Sequence, residues 1–277
     1  MADQVALDLV GRLDEVVEPA RRLRGKVAVI TGSGHGIGAA TSALFAAHGA
    51  TVIGLDIDAD AGAALAEALG KRFGPGAAVF HAVDVGDVAE VGRVAAAVLD
   101  EHPRIDVLFN NAGILGDFDT PLAETDFSRW RRIVDVNLTG VIACSQAFLP
   151  GLRRSAAGSV IHNATIDALL GNPHAALYSA SKGGIIPLTH VMAYEFGVWG
   201  IRVNCIVAGG IPTGLGRGQV SSEYEDALAA ATSLRRRGRP IEAATVALFL
   251  ATGDSSFVNG TSLQVDGGRI GLTPGTL

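Results

Sequence analysis

Short apolar segments rich in β-branched residues alternate with longer segments of helical periodicity along most of this 277-residue chain. The predicted strands are residues 26–31, 51–56, 77–83, 105–110, 159–163, 202–207 and 262–265. The clearest predicted helices are residues 36–48, 59–72, 88–101 and 127–152. Because apolar strands that alternate with helices belong to parallel sheets covered on both faces, the pattern indicates an α/β fold. Right-handed crossovers then favour a Rossmann-type, doubly wound parallel sheet of about seven strands with helices on both faces.

The composition supports one globular domain over residues 25–277. The chain is 48% hydrophobic and 18% charged, which is too apolar for disorder, and its 36 glycines are too many for a helical bundle. No internal repeat, low-complexity tract or linker divides it. Residues 1–24 form an N-terminal extension in which apolar residues recur at three- and four-residue spacing. This spacing predicts an amphipathic helix that docks on the protein, and a partly ordered tail is the alternative.

Charge and cysteine content exclude several classes of function. The formal net charge of −6 gives no support to a nucleic-acid or anionic-membrane partner. Cys144 and Cys205 stand alone, so reduced thiols are expected and no metal site is predicted. No segment approaches the roughly 20 uninterrupted apolar residues of a membrane span. Acidic residues interrupt every apolar run among the first 24 residues, so we expect no signal peptide and a cytoplasmic protein.

A glycine-rich turn, TGSGHGIG, follows the first predicted strand at residues 31–38. Its glycines allow a sharp turn and a close approach of backbone to a pyrophosphate, which the N–H groups at the following helix start favour. Such a turn is weak evidence alone, but between the first strand and first helix of this series it indicates a nucleotide site. The candidate cofactor contacts in the turn are Gly32, Ser33, His35, Gly36 and Ile37.

The second predicted strand ends at Asp56, which is followed by Ile57. A carboxylate at this position can accept hydrogen bonds from both ribose hydroxyls of a dinucleotide and would repel a 2′-phosphate. The alternative role for Asp56 is a helix N-cap, which Asp58 fills better. We therefore predict NAD(H) as the cofactor.

Two further strand ends carry candidate cofactor contacts. Asp84 and Val85 close the third predicted strand, where an adenine ring would lie; the alternative is a strand end followed by a helix cap. The sequence NNAG at residues 110–113 closes the fourth, and its small residues leave room for a cofactor while its amides can join neighbouring strand ends. Alone, NNAG would be only a turn. The contacts predicted here are Asn111, Ala112 and Gly113.

Tyr178 and Lys182 are four residues apart and would share one face of a helix. A phenol with its ordinary pKa near 10 is a poor proton shuttle at neutral pH. A neighbouring ammonium and a nicotinamide cation both favour the phenolate and lower that pKa. Taken alone, Tyr-x-x-x-Lys is better explained as a solvated tyrosine and a surface lysine.

The glycine turn, Asp56, Asp84, NNAG, Asn137 and Tyr178-x-x-x-Lys182, in this order, resemble the short-chain dehydrogenase/reductase family. The resemblance extends from about residue 26 to residue 268. It implies that Tyr178 is the general acid/base and that Lys182 lowers its pKa and holds the nicotinamide ribose. It also implies that Asn137 supports a water for proton exchange and that Ile211 and Thr213 contact the nicotinamide carboxamide. Dimers or tetramers built on the helices near residues 127–152 and 176–199 are expected.

The sequence departs from the family pattern at two places. The serine that usually binds the substrate oxygen is Thr165 here, which keeps the hydroxyl but adds a methyl group that stiffens χ1. A working, sterically selective site is favoured over an inactive one. The usual Pro-Gly after the sixth strand is Ala208-Gly209, which relaxes the backbone of the nicotinamide-facing turn.

The substrate side of the site is predicted to be largely apolar. Apolar residues expected in its wall are Ile114, Leu115, Ile166, Leu169, Leu170 and Leu177. Candidate substrate contacts are Thr165, Leu115 and Gly210, with Asp167 and His174 as contacts for a second oxygen unless they are surface or capping residues. Residues 213–239 have the composition of a mobile substrate loop, and the arginines near its end fit a solvated helix end better than an anion site.

These predictions together describe an oxidoreductase that transfers a hydride between NAD(H) and a small-molecule secondary alcohol or ketone, with a largely apolar cyclic substrate. An NAD-binding sensor or scaffold with weakened catalysis remains an alternative, because Thr165 and Ala208 depart from the family pattern. An NADPH-dependent 3-oxoacyl reductase is a second alternative, which Asp56 disfavours.

Overall fold

The computed structural model describes residues 8, 10–11, 21–116, 120–173, 175–214 and 222–271, and the side chains of residues 222, 224 and 225 are left out of the description. Seven strands form one sheet in the order β3-β2-β1-β4-β5-β6-β7, and every neighbouring pair is parallel. The strands are β1 Val27–Thr31, β2 Thr51–Asp56, β3 Ala78–Ala82, β4 Val107–Asn110, β5 Ser159–Thr165, β6 Arg202–Ala208 and β7 Ser262–Val265. The predicted doubly wound sheet is confirmed, with the order reversing between β1 and β4.

Helices in the described residues cover both faces of the sheet. They are α1 Gly36–Ala47, α2 Ala59–Phe73, α3 Val88–Glu101, α4 Phe127–Val134, α5 Gly140–Leu152, α6 Ala176–Gly183, α7 Ile185–Gly197, α8 Ser222–Ala230 and α9 Pro240–Ala251. Within β1, Ala28 and Ile30 join the apolar cluster under α1 and α9, whereas Val29 joins the cluster on the opposite face. This alternation explains why both kinds of position in the strand are apolar.

Two differences from the sequence prediction affect the strand and helix that carry Thr165 and Asn137. Strand β5 continues beyond Asn163 to Thr165, which pairs with Ala208 of β6. The predicted helix over residues 127–152 is interrupted by a π-helical turn, Asp135–Thr139, that separates α4 from α5. Asn137 lies in this turn, and its side chain bonds the backbone of Ile114 in the neighbouring loop. A π turn inside a helix of this kind is frequent at functional sites.

The helical run Phe127–Leu152 is long and apolar enough to cross a membrane by length and composition. Half of its most apolar window is buried inside the fold, as is usual for a core helix, so the run is weak evidence for a membrane span.

Most of the predicted N-terminal extension, residues 1–24, lies outside the described residues. Asp8, Val10 and Gly11 are helical, and Val10 is buried in the cluster beneath α1 and α2. The carbonyl of Gly11 accepts a hydrogen bond from Arg72 Nη1 at 3.2 Å. These contacts agree with a docked helix, which remains a prediction for the extension as a whole.

Candidate active site

A cavity of about 450 Å³ lies along the carboxyl-terminal edge of the sheet. It extends from the ends of β2 and β3 across the reversal of strand order to the ends of β5 and β6. Predicted site residues that line it are Gly32, His35, Ile37, Asp56, Ile57, Asp84, Val85, Asn111, Ala112, Gly113, Leu115, Thr165, Asp167, Tyr178, Lys182, Gly210, Ile211 and Thr213. Ser33, Gly36 and Asn137 are not among the lining residues, and His174 lies outside the described residues.

The glycine-rich turn has a conformation and packing that only glycine satisfies. Gly32 and Gly36 have φ values of +63° and +50°, and a Cβ on Gly38 would lie 1.9 Å from the Gly32 carbonyl oxygen. Helix α1 then begins at Gly36 after His35, whose side chain makes no capping hydrogen bond. The side chain of His35 therefore leaves the first-turn N–H groups uncapped, which fits an anionic pyrophosphate.

Asp56 is buried at the end of β2 and organises the loop around it. Its Oδ2 accepts the N–H of Gly34 at 2.7 Å, and its Oδ1 accepts the N–H of Asp58 at 3.0 Å. Asp58 caps α2 by accepting the N–H of Ala61 at 3.0 Å, as predicted, so Asp56 is not the helix cap. The Ala61 N–H and then the His35 side chain, 2.8 Å away, hold the pKa of Asp58 below its usual value.

Asp84 is held by an arginine that sequence reasoning missed. Arg132 on α4 donates from Nη1 to Asp84 Oδ2 at 2.7 Å, and the other carboxylate oxygen accepts the N–H of Gly86 at 2.9 Å. Both Asp84 and Arg132 line the cavity. No local signal could identify this pair, because the two residues are far apart in sequence.

The NNAG segment joins three strand ends, as predicted. Asn111 Nδ2 donates to the carbonyls of Thr31 and Gly32, at 3.0 and 3.1 Å. Asn163, near the end of β5, donates in turn to Asn111 Oδ1 at 2.9 Å. Gly113 keeps the floor open, since a Cβ there would lie 3.1 Å from Lys182 Nζ. The floor of the cavity is therefore rigid and narrow.

Lys182 projects from α6 into this floor and is only 3% exposed. Its Nζ donates to the carbonyl of Asn163 at 2.9 Å. Burial disfavours the ammonium form and lowers the pKa of Lys182 to about 8. A lysine with this pKa can exchange a proton near neutral pH.

Tyr178 lies one turn before Lys182 and lines the cavity together with Thr165 and Asp167. Burial first and the charge of Asp167 second raise the pKa of Tyr178, whereas a hydrogen bond with Thr165 lowers it. The phenol of the protein alone is therefore protonated at neutral pH. That a nicotinamide cation and Lys182 lower this pKa in the cofactor complex stays a prediction.

Asn137 is completely buried behind Lys182. Its Oδ1 accepts the N–H of Ile114 at 2.8 Å, and its Nδ2 donates to the Ile114 carbonyl and to Ser181 Oγ, each at 2.9 Å. Asn137 thus joins the π turn to the loop after β4 and to α6. Its predicted support of a water stays a prediction.

The turn after β6 is tied to its neighbours even though it lacks proline. Gly209 N–H donates to the Val265 carbonyl at 3.1 Å, and the Gly210 carbonyl accepts the N–H of Gly238 at 3.1 Å. Gly210 has a φ of +63°, which glycine adopts without strain. These two bonds restrain the turn that the sequence suggested would be relaxed.

The substrate end of the cavity is more polar than the sequence predicted. Ile114, Leu115 and Ile166 line it, but the predicted wall residues Leu169, Leu170 and Leu177 do not. The lining also contains Asn172 and Arg269, which the sequence analysis did not predict, and Arg237, which it assigned to a solvated helix end. Asp167, a predicted contact, lines the cavity as well. They come from three separate segments that only the fold brings together.

The arginines near the end of the predicted substrate loop divide between two roles. Arg236 forms an ion pair of 2.7 Å with Glu242 in the first turn of α9, as expected for a solvated helix end. Arg237 lines the cavity and donates from Nε to the Gly210 carbonyl at 3.3 Å. Residues 215–221 of the predicted loop lie outside the described residues. Within the described residues, no group of three His, Cys, Asp or Glu side chains could hold a metal ion.

Comparison with known proteins assigns the chain to a family. A family profile described as enoyl-(acyl carrier protein) reductase matches residues 32–269. An uncharacterized short-chain type dehydrogenase/reductase of Sinorhizobium fredii is 39% identical over 256 residues, which cover 90% of this chain and 98% of that protein. The chain belongs to the short-chain dehydrogenase/reductase family.

Other members of the short-chain dehydrogenase/reductase family are similar over nearly the whole chain. Meso-2,3-butanediol dehydrogenase of Serratia marcescens is 37% identical over 247 residues, covering 89% of this chain and 95% of the relative. The crystal structure of a 3-ketoacyl-(acyl-carrier-protein) reductase from Brucella melitensis complexed with NADH has a TM-score of 0.82 at 29% identity and covers 89% of this chain and 99% of that chain. This short-chain dehydrogenase/reductase is therefore an oxidoreductase of a family that binds nicotinamide cofactors and acts on alcohol or ketone groups.

Proposed function

We propose that this short-chain dehydrogenase/reductase transfers a hydride between NAD(H) and a secondary alcohol or ketone, with Tyr178 as general acid/base. The observation that carries the proposal is the convergence of Tyr178, Lys182 and Thr165 at one end of a cavity whose other end is Asp56. The carbon skeleton of a small, cyclic or branched substrate would pack on Ile114, Leu115 and Ile166 in the same cavity.

The residues of the cavity fit a dinucleotide without a 2′-phosphate. The uncapped start of α1 would hold the pyrophosphate, and Asp56 would accept hydrogen bonds from the adenosine ribose. Two nearby basic side chains that could receive a 2′-phosphate are already engaged by carboxylates, His35 by Asp58 and Arg132 by Asp84. This charge distribution supports NAD(H) over NADP(H).

Three side chains would carry out the proton chemistry: Tyr178 and Lys182 on α6 and Thr165 at the end of β5. In oxidation, Tyr178 as phenolate would accept the alcohol proton; in reduction, its phenol would donate one to the carbonyl oxygen. Thr165 would hold the substrate oxygen with its hydroxyl and stabilise the negative charge that develops there. Lys182 would hold the nicotinamide ribose and favour the phenolate electrostatically. A bound nicotinamide would supply the hydride acceptor or donor.

The test is to mix the protein with NAD⁺ or NADP⁺ and a panel of secondary alcohols and to follow the absorbance of the reduced cofactor. We expect turnover with NAD⁺ and much less with NADP⁺. If no alcohol in the panel is oxidised although titration shows that NAD⁺ binds, the alternative of an NAD-binding sensor or scaffold is favoured. A parallel assay with NADPH and an acetoacetyl thioester tests the acyl reductase, which the similarity to the Brucella enzyme keeps open.

We also propose that the enzyme is a homo-oligomer, a dimer or tetramer, assembled through its long helices. The side chains of Val191 and Tyr194 on α7 are 53% and 85% exposed, and Val198 just beyond it is 75% exposed. An apolar strip of this kind on one helix is suited to burial against a second copy. Sedimentation of the protein would test this proposal, and a monomer at micromolar concentration would contradict it.

A further inference from the structure

The cavity contains a carboxylate directly beside the reacting centre. Asp167 lies in the short 3₁₀ turn Ile166–Ala168 that follows β5, and its backbone N–H donates to Thr165 Oγ1 at 3.3 Å. This bond holds the backbone of Asp167 next to the Thr165 hydroxyl, which would bind the substrate oxygen. Asp167 also lines the cavity and is close enough to Tyr178 for its charge to act on the phenol.

The carboxylate of Asp167 has partners that hold it but do not use its full hydrogen-bonding capacity. Burial has the largest effect and raises the pKa of Asp167, whereas hydrogen bonding with the Asn172 side chain, the charge of Arg269 and hydrogen bonding with the Thr165 side chain lower it. An ionised carboxylate can accept about four hydrogen bonds, so acceptor positions remain toward the cavity. Thr165 has a single hydroxyl proton, and hydrogen bonding with this hydroxyl lowers the pKa of both Tyr178 and Asp167. It can therefore donate to only one of them at a time.

Arg269 supplies the counter-charge from the other side of the cavity. Asp266 accepts the N–H groups of Gly268 and Ile270, both at 2.9 Å, and so fixes the turn that carries Arg269. Among the described residues, the guanidinium of Arg269 makes no hydrogen bond and no ion pair within 4 Å, and its electrostatic partner is Asp167. The charge of Arg269 favours the ionised, acceptor form of this carboxyl group, against the larger and opposing effect of burial.

We propose that Asp167 accepts a hydrogen bond from a second hydroxyl group of the substrate, on the carbon next to the reacting carbon. The substrates would then be neutral vicinal diols in oxidation and α-hydroxy ketones in reduction. A substrate oxygen bound to Tyr178 and Thr165 lies beside the carboxylate that itself contacts Thr165. The oxygens of a vicinal diol in the gauche conformation are within hydrogen-bonding distance of each other, so the second one reaches Asp167.

This inference rests on the proposed function. The reacting carbon loses a hydride to NAD⁺ and its hydroxyl loses a proton to Tyr178, while the second hydroxyl group is unchanged. A mono-alcohol would leave a desolvated acceptor of Asp167 unpaired, and an α-hydroxy acid would place a second carboxylate beside it. Asp167 thus selects for the diol by attraction and against the acid by repulsion.

The experiment compares butane-2,3-diol, butan-2-ol and lactate as substrates with NAD⁺. We expect kcat/KM for the diol to exceed that for butan-2-ol by roughly 10- to 100-fold, since a buried charged acceptor discriminates strongly against a substrate without the matching hydroxyl. Lactate should be the poorest of the three. In Asp167→Ala the diol-to-alcohol ratio should fall to about one, and in the isosteric Asp167→Asn it should fall part of the way because an amide oxygen still accepts.

The control is Asp100→Asn, which removes an exposed carboxylate on α3 and should leave the ratio as it is in the unaltered protein. An equal preference for diol and alcohol in the unaltered protein, or a ratio that survives Asp167→Ala, would overturn the inference. A preference for lactate would overturn it in favour of an anion site at Arg269.

A binding measurement separates this inference from the proposed function. The enzyme–NADH complex can be titrated with butane-2,3-diol and with butan-2-ol while the cofactor fluorescence is followed. If none of the three compounds is turned over, the proposed function fails for them. The inference is still supported if the diol binds more tightly than butan-2-ol and Asp167→Ala abolishes this difference. Equal binding of both compounds would overturn it whatever the turnover.

Discussion

Asp56→Asn tests the basis of cofactor choice with an almost isosteric change. Asp56 accepts the N–H of Gly34 at 2.7 Å through one oxygen and the N–H of Asp58 at 3.0 Å through the other. An amide has only one acceptor oxygen, so one of these N–H groups would face the NH₂ of the new side chain. Loss of a hydrogen bond to a charged group destabilises the loop by about 1.5–3 kcal/mol.

The effect on cofactor binding has two parts with opposite signs. For NADH, a ribose hydroxyl that donates to a neutral amide oxygen instead of a carboxylate loses about 1 kcal/mol, and loop disorder adds to this, so affinity should fall about tenfold. For NADPH, removal of one negative charge about 5 Å from a 2′-phosphate relieves about 3 kcal/mol per unit charge at an effective dielectric constant of about 20. That gain is about 100-fold, so the NADH-to-NADPH affinity ratio should fall about 1000-fold in total.

The assay is fluorescence titration of the unaltered protein, of Asp56→Asn and of a control variant with NADH and with NADPH. Asp60→Asn is the matched control, because Asp60 is an exposed carboxylate in the first turn of α2 and its charge is screened by solvent. It should change the affinity ratio by less than about threefold. The reasoning is refuted if Asp56→Asn leaves the ratio unchanged, or if Asp60→Asn changes it as much.

Three further predictions concern the catalytic end of the cavity. Tyr178→Phe should lower kcat by about 10²–10⁴-fold while the dissociation constant of NADH, measured by titration, stays within about threefold; substantial turnover would remove the general acid/base assignment. Thr165→Val should lower kcat by about 10²–10³-fold, whereas Thr165→Ser should broaden the range of alcohols in a substrate panel, and an unchanged range would show that the methyl group does not select. The pKa of Lys182 is about 8 in the folded protein and 10.5 ordinarily, so between these two pH values the lysine is protonated in the unfolded chain but largely neutral in the fold. The free energy of unfolding attributable to Lys182 should therefore rise by about 3 kcal/mol from pH 8 to pH 10.5 and stay constant below pH 8. Urea unfolding of the protein and of Lys182→Met at several pH values measures this difference, and a pH-independent difference would contradict the burial of the ammonium group.

The features of the cavity that can be inferred from the sequence depend on local chemistry. The glycine turn can be read because Gly32 and Gly36 need positive φ next to a strand and a helix that are themselves visible from hydrophobic periodicity. The separation of roles between Asp56 and Asp58 follows from their distance to the start of α2. Each of these inferences needed no more than a few neighbouring residues.

The parts that could not be predicted depend on contacts between distant segments. Arg132 reaches Asp84 from a different helix, and neither residue type identifies the other. Arg237 and Arg269 enter the cavity from two separate segments, so their presence changes its substrate end from apolar to polar without any local signal. Strand β5 continues past Asn163 to Thr165 because β6 pairs with it, and side-chain pattern alone does not reveal such pairing.

The position of Asp167 beside Tyr178 has a consequence for the direction of the reaction. Its charge raises the pKa of the phenol, so it opposes formation of the phenolate that oxidation requires and preserves the protonated form that donates to a carbonyl in reduction. Arg269 favours the ionised form of Asp167 and so maintains this effect. A substrate hydroxyl that donates to Asp167 would spread the carboxylate charge and ease ionisation of Tyr178. A diol would therefore assist its own oxidation at this site, whereas a mono-alcohol would meet a phenol that the neighbouring carboxylate keeps protonated.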